Sequence, residues 1–531
     1  MPSQAQPMST TATPCWSRAE LVFSATRTYA NPLCDQQLDA DLVSPSGRRL
    51  SVPGFWDGEI TWRVRFLPDE VGSWSWRTRT TDGDTGLNGR DGTLLVGPAQ
   101  GDSRFAVHGA VRLSADGTHL EHADGTPFLW LADTAWCGPV KASDADWQHY
   151  LEVRSAQRFT TVQWVPTTWA MVGEDDAGRQ PYHGSERIAI DPAWFQPLDR
   201  KVAAMGAAGL LSVPVMLWAL RGGENDPANA SWRRNPGALM NEDDCVRLAR
   251  YQLARWGGDH VLWILNGDGD YAHCPGRWPR IGQALFNGVH HAPVAVHPCG
   301  MNWPHEQFYD QSWFSLAGYQ SGHGDDAGTW RWLLQGSPAT AWRGQPARPV
   351  INLEPPYENH VAYQSRQPHT PFSVRRATWW SLFVAPTAGV TYGGQGVWGW
   401  DAGGAEPAAH PGTGIAGPWR EALHLPAAEQ LRHLVRHLER LPWWRLKPCP
   451  ELLTEQPGER EITHTHLAAI SDDGRAAAVY LPAGGTVALR SGLLTTTSAT
   501  WCDPRDGSTK PAGSGVRFTA PDAQDWLLVL V

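Results

Sequence analysis

The chain has no apolar run approaching the roughly 18 residues a membrane-spanning helix needs, so no membrane partner is expected. It has no C-x-x-C pair either. Its eight cysteines stand apart at positions 15, 34, 137, 245, 274, 299, 449 and 502, a scatter that fits reduced structural thiols better than a disulfide frame or a zinc site. Basic residues are not in surplus: Lys and Arg total 44 against 54 Asp and Glu, a formal net charge of −10. A nucleic-acid protein normally shows a basic field, so that partner is not expected. The opening MPSQAQPMSTTATPCW has neither a basic nor an apolar signal region, and a cytoplasmic protein is the resulting expectation.

Against these absences stand 531 residues, 41% of them apolar and 18% charged. That is enough chain for two to four domains and a large core. The outstanding abundance is tryptophan, at 30 residues. Indoles are large and rarely buried completely, so most serve packing while some are free to act as platforms. The apolar C–H face of a sugar ring packs flat on an indole, and polar groups at the rim take its hydroxyls.

Residues 13–99 read as an N-terminal β-sandwich. Short β-type runs such as RRLSVPGFW, EITWRVRFLP and SWSWRTRT are separated by Pro, Gly and Asp turns. In Ile60, Trp62, Val64 and Phe66 every second residue is apolar, with Thr61, Arg63 and Arg65 between them, the pattern of a strand with one wet face. Residues 97–103 (GPAQGDS) form a linker. Two Asp-Gly turns, at 116–117 and 124–125, then predict a β-hairpin.

From there apolar runs alternate with helical stretches. The strand candidates are 127–136, 160–168, 210–218, 260–268, 292–300, 315–323, 348–356 and 388–398, and the helix candidates include 144–159, 195–208, 241–256, 374–385 and a closing 426–441. Asn241 and the acidic residues after it suit a helix N-cap and first turn. Eight such units across 104–442 predict an α/β fold, a (β/α)₈ TIM barrel. A doubly wound open sheet usually has fewer strands, and no G-x-G-x-x-G follows any run. Residues 443–531 return to β character and predict a C-terminal β-sandwich.

In such a barrel the C-terminal strand ends converge on one face. They supply Asp133 and Trp136, Trp164 and Trp169, Trp218, Asp268, His297, Tyr319 and His323, Glu354, and Tyr392 and Trp398. Two carboxylates directly end apolar runs: Asp268 after VLWIL and Glu354 after PVINL. The fourth and seventh strands face one another across a barrel mouth, so this pair can flank a glycosidic bond, one protonating and the other attacking. Asp270 is a rival acid by spacing. Asp133, the histidines and the indoles are candidate ligands for sugar hydroxyls and rings, whereas Glu358 can equally brace its loop. The first strand carries Asp-Thr-Ala-Trp rather than His-x-His, and no cluster has ligand spacing, so neither a metal nor another cofactor is expected.

FLWLADTAW, WILNGD, HPCGMN, YQSGHG, NLEPPYENH, the block from VRRATWW to GGQGVW, and PWREALHLPAAEQLRHL cover essentially all of 120–445. In this order they resemble the apiosidase-like glycoside hydrolases. DGEITWRVRFLPDEVGSWSW looks like the sandwich that often precedes such barrels, and WCDPRDG with DWLLVLV resembles a following sandwich sometimes labelled collagen-binding-like. The resemblance implies a glycosidase acting on plant or microbial carbohydrate, with Asp268 as acid/base and Glu354 as nucleophile. Where that family usually has Gly-Gly-Asp, this chain has Asn266-Gly267-Asp268. The resemblance therefore singles out Asn266 as a source of altered acid orientation or sugar preference. The remaining alternatives are a non-catalytic carbohydrate-binding barrel and a metal-dependent barrel hydrolase.

Overall fold

The computed structural model describes residues 12–184, 187–220, 234–269, 271–272, 274–407, 410–495 and 498–531. Its centre is a closed barrel of eight parallel strands. These are β1 (Trp130–Thr134), β2 (Thr161–Trp164), β3 (Leu211–Trp218), β4 (Trp263–Gly269), β5 (Val294–Pro298), β6 (Phe314–Gln320), β7 (Val350–Glu354) and β8 (Gly389–Tyr392). All eight expected strands are present, in the expected order. Closure comes from β1 pairing with β8, Trp130 opposite Gly389 and Asp133 opposite Tyr392.

The helices that cover the barrel include α1 (Asp144–Ala156), α2 (Pro192–Ala207), α3 (Glu242–Trp256), α4 (Arg277–Phe286), α5 (Ala327–Gln335), α6 (Pro371–Phe383) and α7 (Pro426–Leu438). Local sequence sets their starts. The Asn241 side chain accepts the Asp244 backbone N–H at 2.8 Å, and Glu242, Asp243 and Asp244 place negative charge in the first turn of α3, where it meets the positive end of the helix dipole. Asp191 caps α2 in the same way, with Pro192 at a first-turn position that needs no N–H. That signal moves the start of α2 three residues ahead of the expected 195.

Before the barrel, one seven-stranded sheet folds over on itself. The long strand Arg49–Gly58 pairs along one stretch with Leu38–Val43 and along the other with Thr61–Phe66. Both halves enclose a core that includes Leu38, Val52, Trp62, Val64 and Trp74. The strand expected around Ile60 to Phe66 differs in two ways. Ile60 lies outside it and is exposed, and its polar face is only partly wet, with Thr61 and Arg63 half-buried. Arg65 is buried against the barrel, donating to Asp199 Oδ2 at 2.9 Å, and Asp199 in turn accepts from Arg255 of α3. A charge this deep persists only because it is paired on several sides. The expected hairpin is a three-stranded meander, Val111–Leu113, Leu120–His122 and Pro127–Phe128.

After the barrel, a six-stranded sheet centred on Ala477–Leu481 and Trp526–Leu530 packs with the pair Thr486–Ala488 and Arg517–Thr519. Between them lies a core containing Val487, Trp501, Phe518 and Trp526. Among the described residues no helix is long and apolar enough to cross a membrane.

Candidate active site

β4 does not end as a regular strand. Its register against β5 slips between Ile264 and Gly267 and again between Gly267 and Gly269. Each slip leaves an extra residue on β4, and bulges of this kind re-aim side chains. Asp268 sits at the second slip with φ +46°, a left-handed backbone that Asp tolerates better than most residues. Gly267 makes the turn sterically possible, because a Cβ there would overlap the Trp218 indole. The acid at the end of the fourth strand is thus turned into the barrel mouth by backbone geometry.

Across the mouth, Glu354 ends β7. Asp268, His297 of β5 and Glu354 each bring a ligand-type atom within 4.8 Å of the others. Gln320, the last residue of β6, lies between the carboxylates. Its Nε2 donates to Asp268 Oδ1 at 3.1 Å and to Glu354 Oε2 at 2.9 Å. His297 Nε2 is 3.3 Å from Glu354 Oε2, and its Nδ1 is 3.9 Å from Asp268 Oδ1. His323 Nε2 lies 3.0 Å from Glu354 Oε1, while its Nδ1 accepts the Tyr357 backbone N–H at 3.4 Å. That bond to Nδ1 assigns the proton to Nε2, so His323 donates to Glu354.

The two carboxylates therefore have unequal surroundings. Burial raises both. For Asp268 the neighbouring negative charge of Glu354 adds to burial and outweighs His297 and Gln320, and its carboxyl is pushed up to about 7. For Glu354, contacts with His297 and His323 overcome burial and hold the carboxyl far below the ordinary range. His297 is raised: its desolvation is outweighed by Glu354 and then by Asp268.

A narrow pocket opens on this pair, walled by Trp136, Trp169, Trp218 and Trp398 and completed by Tyr357, His360 and His410. The indoles brace one another. Trp218 packs at 5.3 Å from Trp136 and 5.0 Å from Trp169, ring centre to ring centre. The Trp218 Nε1 is buried without a protein hydrogen-bond partner, and the Tyr357 hydroxyl lies against Glu354. A larger groove, in the C-terminal part around Pro450 to His464, is open to solvent, and its carboxylates Glu455, Glu459 and Glu461 are exposed. It lacks the opposed, differently ionised pair.

Of the residues expected at the mouth, the structure brings together Trp136, Trp169, Trp218, Asp268, His297, His323, Glu354 and Trp398. Four others point the opposite way, into the layer between strands and helices. Asp133 pairs with Arg154 and accepts from Tyr150 of α1. Trp164 packs on Trp256 of α3. Tyr319 lies against Trp332 of α5. Tyr392 donates to Glu358. Successive side chains of a strand alternate between faces, so these four miss the lumen by one residue. Glu358 is a brace: its carboxylate accepts the Ala427 N–H at the start of α7. Asn266 is also turned away from the cavity, donating to the Tyr271 hydroxyl at 2.8 Å. Asp270 lies outside the described residues.

Gln320, Tyr357, His360 and His410 are the site residues that sequence reasoning missed. The signal for Gln320 is its place beside Tyr319 at a strand end. The spacing of Asp268, His297 and Glu354 would admit a cation. However, the facing oxygens Asp268 Oδ1 and Glu354 Oε2 already share an N–H donor, which presents positive rather than ligating character to that space. The donor set suits paired carboxylates better than a metal.

A closed (β/α)₈ barrel with opposed strand-end carboxylates and an indole-walled pocket is the architecture of a glycoside hydrolase. Residues 114–445 match the family "Apiosidase-like, catalytic domain", and the chain belongs to that family. It is a glycoside hydrolase. Residues 12–81 match a domain of unknown function, DUF5060, and residues 448–531 match a domain described as "Putative collagen-binding domain of a collagenase". No curated protein matches the chain. Among solved structures, one titled "putative glycoside hydrolase" from Bacteroides vulgatus ATCC 8482 superimposes with a TM-score of 0.72 at 18% identity, over 98% of this chain and 99% of its own. A glycoside hydrolase family 5 structure from the same organism gives 0.68 at 20% identity, over 82% of this chain and 95% of its own. At these identities the likeness is one of fold.

Proposed function

We propose that the chain is a retaining glycosidase of plant or microbial oligo- and polysaccharides, with Asp268 as acid/base and Glu354 as nucleophile. The observation that carries this reading is a pair of carboxylates within 4.8 Å at their nearest approach, in environments that drive their ionisation apart. Carboxyl groups about 5–5.5 Å apart suit attack by one of them, whereas about 6.5–9.5 Å is needed to admit a water between.

In the first step the Glu354 carboxylate attacks the anomeric carbon while Asp268 gives its proton to the departing glycosidic oxygen. In the second, the Asp268 carboxylate takes a proton from water, the water oxygen attacks the same carbon, and the bond to Glu354 breaks. The raised pKa suits Asp268 to hold a proton near neutrality, and the donors on Glu354 keep it ionised. Trp136, Trp169, Trp218 and Trp398 offer faces for the sugar ring, and the unpartnered Trp218 Nε1 offers a hydrogen bond to its hydroxyls.

The test is digestion of a glycan library with product analysis by mass spectrometry, followed by proton NMR of the first anomer released from a cleaved substrate. The expected product keeps the substrate's anomeric configuration. Asp268→Asn and Glu354→Gln should each abolish turnover in folded protein. Release of the opposite anomer would reject the nucleophile role of Glu354, and near wild-type turnover by either variant would reject the pair.

A further inference from the structure

We infer that Gln320 is a positioning residue of the glycosidase site. Its single side-chain amide gives one N–H to each catalytic carboxylate and so fixes their separation and supports the ionised form of both. This rests on the reading of Asp268 and Glu354 given above.

Three features of the fold place the amide there. The pairing of β6 with β7 runs Tyr319 opposite Asn352 and then, after a slip, Gln320 opposite Glu354. Without that slip Gln320 would face Leu353, and its amide would not stand beside the nucleophile. The amide orientation is set by its partners: Nε2 meets two carboxylate oxygens, at 3.1 and 2.9 Å. The reverse orientation would press a carbonyl oxygen against both. On the other side, Oε1 lies over Gly300, where an added Cβ would come within 2.9 Å of it. A side chain at 300 would push the amide out of its place.

The consequence is chemical. An amide NH₂ that gives one N–H to each of two carboxylates favours the ionised form of each, yet the two oxygens it holds together repel when both are charged. Other groups act on the same pair. His297 faces both carboxylates, and His323 and Tyr357 face Glu354. Tyr271 lies near Asp268, Tyr363 near both, and His410 near Glu354. Among the described residues only Gln320 makes a hydrogen bond to both. Its loss should move the two ionisations in the same direction, upward, and loosen their spacing.

The experiment compares wild type with Gln320→Met, which keeps length without the donor, and Gln320→Glu, which replaces the amide by a carboxyl, in the full chain on a cleaved substrate. Expected for Gln320→Met is a fall in kcat of about 10- to 100-fold with KM little changed. Both limbs of the kcat/KM–pH profile should move up by about one unit, the scale of one lost hydrogen bond to a charged group. Gln320→Glu should move the upper limb further, because it adds negative charge. A merely structural role would lower the melting temperature and active fraction but leave the limbs in place. Superimposable profiles for wild type and Gln320→Met would overturn the inference. Failure of the underlying reading shows separately, as turnover retained by Asp268→Asn or Glu354→Gln.

Discussion

Asp133 at the end of β1 and Arg154 on α1 form an ion pair, Nε to Oδ2 at 2.7 Å, from which solvent is wholly excluded. Tyr150 completes it with a 2.7 Å hydrogen bond to the same oxygen. Removing one partner of such a pair strands a buried charge at a cost of about 3–5 kcal/mol. Asp133→Ala is therefore expected to lower stability severely in a denaturant titration, while any folded fraction keeps its KM. A raised KM at unchanged stability would restore Asp133 as a sugar ligand.

The pH profile follows from the unequal carboxylates. Asp268, pushed up to about 7 chiefly by burial and the Glu354 charge, must be protonated to act as acid. Activity is present below that pH and lost as pH rises through it. Glu354, held low by its histidine contacts, must be ionised, so the acidic limb of kcat/KM should lie below the ordinary glutamate range. A basic limb near 4–5, on the scale of unperturbed carboxyls, would contradict the assignment of Asp268.

Gly267 is required by the Trp218 indole that lies on its backbone. Gly267→Ala should displace that ring and the bulge that aims Asp268. The expected readout is a loss of about 1–3 kcal/mol in stability, the usual range for overpacking, with an altered near-UV tryptophan spectrum and reduced kcat. An unchanged spectrum with full activity would mean the indole has room to spare.

Asn266 and Tyr271 act as a pair behind the acid loop. Replacing either alone leaves a buried polar group short of a partner, at about 1–3 kcal/mol. Asn266→Gly combined with Tyr271→Phe should cost less than the sum of the single changes, as a double-mutant cycle would show. Strict additivity would mean the bond contributes nothing to stability. A changed sugar preference in Asn266→Gly alone would return Asn266 to the specificity role implied by the family comparison.

The amino-acid sequence carries the barrel, because eight apolar runs separated by helical stretches have few other closed solutions, and it carries the placement of Asp268 and Glu354 at the ends of opposed strands. It also marked helix starts such as that at Asn241, where capping chemistry is local. It could not determine which strand-end residues face the lumen. Barrel strands are buried on both faces, so their apolar runs carry no alternation from which to read parity. Asp133, Trp164, Tyr319 and Tyr392 face the helices rather than the lumen, and Gln320, next to Tyr319, faces the lumen. The bulges in β4 and the slip between β6 and β7 depend on the neighbouring strands as well as on the residues that shift. The inward turn of Asp268 beside Trp218, and the meeting of Gln320 with Asp268 and Glu354, are settled by packing against residues distant in the chain, whereas Asn266 turns toward Tyr271, five residues on, once the loop between them is folded.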